Sequence, residues 1–219
     1  ISGITLTNEK GEISGKSVSL NVNAIKNIDG SMIADSLTIQ ADRLDNLQSE
    51  PNSSYIHATD LSINAQLLNN HAIIQGQQLI LTGNALHNEG GSILSFGEYG
   101  ESLQLQFSDV ITNRDGRIES WGSDLQIVGN LHNQYGKVIL AGSGVLSLEN
   151  LTDNASGEIF SIGDLKITAD GIYQTINNQS GTLQANKNVS LIAEKINNAN
   201  KGNIFAGDQL SVTATTFDN

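Results

Sequence analysis

The sequence predicts an all-β fold, a right-handed parallel β-helix (solenoid) of about ten coils at ~21 residues per coil. Three observations carry that prediction. An Asn returns at near-constant spacing, apolar side chains sit at fixed offsets from it, and an apolar, any, apolar triplet follows later in every unit. The handedness comes from the general crossover rule for parallel strands rather than from any single residue.

The Asn series sets the period. Of 25 Asn, eleven fall into one run: Asn8, Asn27, Asn46, Asn69, Asn88, Asn113, Asn133, Asn154, Asn178, Asn198 and Asn219. Asn tolerates left-handed backbone, and its amide can hydrogen-bond to an identical amide in the next coil, so each Asn is expected to mark a sharp turn and one rung of an amide ladder. Gly stands three residues later in seven of the ten units, as Gly11, Gly30, Gly91, Gly116, Gly136, Gly157 and Gly181. It is expected to supply positive φ in the same turn.

The strands follow in order. Five residues after the Asn comes an apolar residue in most units, such as Ile13, Met32, Ile93, Ile118 and Ile159, which opens a first short strand. The triplets, for example Leu37 and Ile39, Leu61 and Ile63, Leu125 and Ile127, or Leu146 and Leu148, form a second strand with one buried face. A third lies just before the next Asn, with Leu6, Ile25, Leu44, Leu67, Leu86, Ile111 or Leu131 pointing inward and Thr152 the exception. Alternation at period 2, with no 3.6-residue period, argues against helices. A unit this short cannot bury its own apolar face, so it must stack on its neighbours. Residues 1–219 read as a single domain.

Composition narrows function. The chain has 11 basic and 23 acidic residues, a net charge of −12 and no Cys. That balance disfavours a phosphate-backbone partner, so no nucleic acid is expected, and absent Cys removes thiolate metal sites and cysteine nucleophiles. No apolar run approaches the ~18 to 20 residues of a membrane helix. The dispersed carboxylates lack the convergence that calcium needs. His87 and His132 each precede a ladder Asn and fall two coils apart, about 9.6 Å, too far to share a zinc ion. No metal or other cofactor is expected. A β-helix hydrolase would want paired carboxylates on a groove, and no adjacent Asp pair, GHG or G-x-S-x-G occurs, so no enzyme is expected and no catalytic residue is assigned.

The unit L-x-N-x-x-G-x-I followed by L-x-I-x-A, as in KNIDGSMIADSLTIQA, ITNRDGRI and NNQSGTLQANKNVSLIA, resembles the haemagglutinin repeat of filamentous haemagglutinin and contact-dependent growth inhibition (CdiA-type) exoproteins. The resemblance runs from Leu6 to Asn219. It implies two-partner secretion through an outer-membrane transporter, an extracellular or bacterial cell-surface location, and service as an adhesin or toxin-delivery filament. NPNG, NPNL and VENN motifs are missing, and Ile1 begins in strand-like sequence, so an internal segment packed against flanking repeats of the same exoprotein is expected.

Insertions in a repeat array become surface loops, where specificity is carried. Longer units have additions between Asn46 and Ile56, between Ile93 and Leu103, and between Ile118 and Leu125, all assigned to one arc of the coil; a fourth lies between Ile167 and Asn178. The first three contain Tyr55, Phe96, Tyr99 and Trp121. Aromatics give large, rigid contact area, so these four are the candidate contacts for a protein or glycan on a target-cell surface. The competing reading has them folding down over the strands as packing.

Overall fold

The computed structural model describes residues 1–97, 101–121, 124–148, 151–169 and 174–219, with the side chains of 101, 102, 124, 148, 151 and 152 outside that set. It is a parallel β-solenoid of about ten turns. Every strand pairing found is parallel, and there is no helix among the described residues. Strands β1 (Ser2–Glu9), β2 (Glu12–Ile28), β3 (Ser31–Leu47), β4 (Tyr55–Asn70) and β5 (Ile73–His87) come first. Each of β2 to β5 runs almost once round the axis, so the expected breaks between short strands are absent in this half. From β6 (Ser92–Ser95), β7 (Glu101–Thr112) and β8 (Arg117–Ser120) onward the coil divides into shorter strands, as expected.

Stacking one coil on the next lines identical positions into columns. The first-strand column runs Ile13, Met32, Ile56, Ile74, Ile93, Ile118, Val138, Ile159, Leu183, Ile204. The second strand places Leu20, Ile39, Ile63, Leu81, Leu105 and Ile127 one above another, and the third does so with Ile25, Leu44, Leu68 and Leu86. Away from the ends these side chains are wholly buried, each contributing about 1.5–3 kcal/mol of apolar transfer. Where no coil covers them the same columns stay open: Val212 is 37% and Phe217 47% exposed. Burial in this fold is supplied by the neighbouring unit.

Two column assignments differ from the sequence reading. The ladder residue of the fourth turn is Asn70, not Asn69, because Asn46 pairs with Asn70 and Asp45 with Asn69. Between the second and third strands the chain turns through two outward residues, 42 and 43 in one coil and 66 and 67 in the next, which aims Leu68 inward and leaves Leu67 outside. In the seventh unit the triplet register falls on Gly144 and Leu146, since Gly144 pairs with Leu125 and Leu165. Leu146 therefore holds the second position, not the first.

The amide ladder is continuous. Ten side-chain bonds join Asn8, Asn27, Asn46, Asn70, Asn88, Asn113, Asn133, Asn154, Asn178, Asn198 and Asn219, each Nδ2 donating to the next Oδ1 at 2.7–2.9 Å. A second donation from the same Nδ2 reaches a turn carbonyl, as from Asn113 to the Gly116 oxygen at 3.3 Å. The left-handed residue of the turn is not the Asn. It is the residue two later: Lys10, Asp29, Asp115, Tyr135, Ser156, Ser180 and Asn200 have φ between 50° and 57°, and Gly90 has 66°.

Nor does the Gly three residues after the Asn serve the turn through positive φ. A Cβ at Gly116 would lie 2.0 Å from the Asn88 carbonyl oxygen and 2.6 Å from Asn113 Oδ1, so the position is Gly because two coils approach too closely for a side chain. Two non-glycines share the column. Ser54 follows an insertion and donates its hydroxyl to Asn46 Oδ1 at 3.0 Å, and Ala72 sits in a turn one residue shorter than the others.

Candidate functional site

On the outer face of the first strand the side chains alternate with the core column. Arg117, Glu119 and Trp121 share this outward parity around the inward Ile118 and Ser120. Glu119 stacks between Leu94 and Ile139 of the adjoining coils and is 1% exposed. A carboxylate so removed from water needs partners. It has two: the Arg117 Nε–H donates to one oxygen, and the Trp121 indole N–H donates to the other at 2.7 Å. The indole, 55% exposed, is thus fixed in place across the buried carboxylate.

Trp121 has company along the rod. Its backbone N–H donates to the Ser95 carbonyl at 2.8 Å, which places it one coil above Phe96, about 4.8 Å along the axis. Ala141 and Ile162 continue the same corner column. Phe96 and Ile162 are both largely exposed. The result is a mostly apolar stripe along one corner of the rod. It can make contact area.

Of the four expected contacts, the structure brings Phe96 and Trp121 together. Tyr55 is apart from them: half-buried at the start of β4, between Ser31 and Ile73, two coils from Phe96 and three from Trp121, and at the other end of the strand. Tyr99 lies outside the described residues. The common arc assigned to the insertions does not hold either. Residues 48–54 leave the coil at the ladder turn, between Leu47 and Tyr55, whereas the additions near Phe96 and Trp121 leave after the first strand. The sequence reading passed over Arg117, Glu119 and Ile162. The alternating R-x-E-x-W parity was the signal that could have grouped the first two with Trp121.

The 48–54 loop is held by one carboxylate of the preceding coil. Asp29 accepts from the Ser49 hydroxyl at 2.6 Å, the Ser49 N–H at 2.7 Å and the Ser53 hydroxyl. The Ser49 hydroxyl contributes most, followed by Ser53 and the Ser49 N–H, and together they lower the Asp29 pKa from 3.8 to about 2. Because the folded value lies below the ordinary one, this tether is fully present above about pH 3.8 and is lost as pH falls through about 2. The Ser49 amide resonance is expected to titrate with a midpoint near 2, and Asp29→Asn should abolish that titration. A midpoint near 3.8 would show that the loop is not tethered this way.

His87 and His132 share one column with Thr112 between them, two coils apart. Among the described residues no three His, Asp or Glu side chains converge as metal ligands. No family model, curated protein or solved structure matches the chain.

Proposed function

We propose that this chain is a rod-like repeat segment of a bacterial exoprotein of the haemagglutinin-repeat kind, working outside the cell as a stiff spacer that presents surface contacts. The observation that carries the reading is the uninterrupted ladder: one buried amide bond per coil from Asn8 to Asn219, on three aliphatic columns. A repeat whose units bond only to their neighbours sets length by unit count and holds direction by rigidity. Its partners would be flanking repeats of the same exoprotein and, during secretion, an outer-membrane transporter. No catalytic role is proposed.

Modularity tests the spacer. Deleting residues 154–197, two whole coils from one ladder Asn to another, is expected to leave a folded rod shortened by about 10 Å in small-angle scattering. A collapsed or unfolded product would count against it.

The locked Trp121 supports a second reading, in which this segment itself recognises an outer-membrane protein or glycan on target cells. Interfaces favour rigid, half-exposed aromatics. Saturable binding of the chain to target-cell outer membranes, lost in Trp121→Ala while the far-ultraviolet dichroism spectrum stays that of the folded parent, would favour recognition. Equal binding by the variant, or none by the parent, would favour the plain spacer.

A further inference from the structure

The two-residue corner between the second and third strands makes the rod concave, and successive corners join into a groove along the axis. Two adjoining hollows of about 390 and 150 Å³ share Asn64 and Gln66. The floor is closed by the buried Val22, Ala41 and Phe107. One wall is the column Asn21, Gln40, Asn64, Thr82 and Gln106, five coils or roughly 19 Å long. The opposite wall carries Asn23, Asp42, Gln66, Asn84 and Ser108.

These amides differ from those of the ladder. Every ladder Asn between Asn27 and Asn178 is buried with its Nδ2 committed to protein acceptors. The side chains of Asn21, Asn23, Gln40, Asn64, Gln66 and Gln106 are exposed and make no hydrogen bond within the described protein. Each offers both donors and an acceptor. The lining residues include one carboxylate, Asp42, and no cation; the adjacent Arg43 guanidinium is paired with Asp45 at 2.9 Å.

That chemistry selects among ligands. A polyanion would meet no positive charge and a net charge of −12 on the chain. A peptide strand would find no free backbone edge along this groove, since the coils pair with each other along the axis. Sugar hydroxyls, each donor and acceptor, match rows of neutral amides. The coil spacing of about 4.8 Å is also close to the advance of one pyranose ring in an extended chain. We propose that this groove binds an extended neutral oligosaccharide lying along the rod axis, one ring to a coil. The site is separate from the Phe96–Trp121 stripe and does not depend on the spacer reading.

Calorimetric titration of the whole chain with cellohexaose, β-1,4-mannohexaose and hexagalacturonate tests it. Saturable binding of at least one neutral hexasaccharide is expected, weakened at least about tenfold in the triple variant Gln40→Ala, Asn64→Ala, Gln106→Ala. Phe96→Ala/Trp121→Ala should bind as the parent does. All three replaced side chains are exposed, and an unchanged far-ultraviolet dichroism spectrum verifies that the triple variant folds. The proposal is overturned if neither neutral probe binds, if the triple variant binds like the parent, or if hexagalacturonate binds as tightly as the neutral sugars. Loss of binding in the Phe96/Trp121 variant alone would move the sugar to the stripe and equally refute the groove.

Discussion

Replacing Asn113 by alanine in the middle of the ladder is expected to destabilise the protein by about 3 kcal/mol or more. Asn113 is wholly buried and donates through Nδ2 to Asn133 Oδ1 at 2.7 Å, to the Lys137 carbonyl at 3.1 Å and to the Gly116 carbonyl at 3.3 Å. It also accepts from Asn88 Nδ2 at 2.7 Å. Truncation removes one side chain but strands polar groups on both sides of it, and each buried, unsatisfied group costs about 1–3 kcal/mol. Asn113→Asp should be worse, because a carboxylate would then face three oxygen acceptors in a site that excludes water. Asn198→Ala, near the open end, has a partner group within reach of solvent and should cost about half as much. Calorimetric melting of the three variants checks the order. A loss near zero for Asn113→Ala would mean the ladder is decorative rather than structural.

Gly116→Ala is expected to have a comparable effect for a different reason. The new methyl would overlap the Asn88 carbonyl oxygen at 2.0 Å, and that oxygen belongs to the backbone of the preceding coil, which cannot step aside without breaking the register. Separating two coils locally should cost about 3 kcal/mol, at the upper end of overpacking penalties. Gly90→Ala provides the internal contrast. Its Cβ would meet nothing within 4 Å, and only the φ of 66° is unfavourable, so about 1–2 kcal/mol is expected. Melting temperatures of the pair decide whether close approach or backbone conformation fixes glycine in this array. The protein already contains a related solution: Ala72 occupies the glycine column in the turn that is one residue shorter.

Period, strand order and most of the core were legible in the sequence because they are additive local signals. An inward residue at every second position, repeated ten times, leaves few alternatives. The ladder residue of the fourth turn was not legible. Leu67-Leu68 followed by Asn69-Asn70 offers two registers with equal apolar content, and a one-residue slip changes which leucine faces inward. Pairing of Asp45 with Asn69 and of Asn46 with Asn70 decides it. Of the corner stripe, insertion lengths point to Phe96 and Trp121, but not to the buried Glu119 that holds the indole.

The amino-acid sequence by itself determined that the chain winds with a period of about 21 residues, most of the side chains that line the interior, and that an Asn recurs on one edge. Only the tertiary structure decided why those glycines are glycine, which residue takes the left-handed turn conformation, and where the rod is concave. The difference is physical. Periodicity and burial are properties of a residue and its chain neighbours, whereas a 2.0 Å approach of one coil to the next, or a carboxylate enclosed between Leu94 and Ile139, exists only once separate coils have been laid against each other.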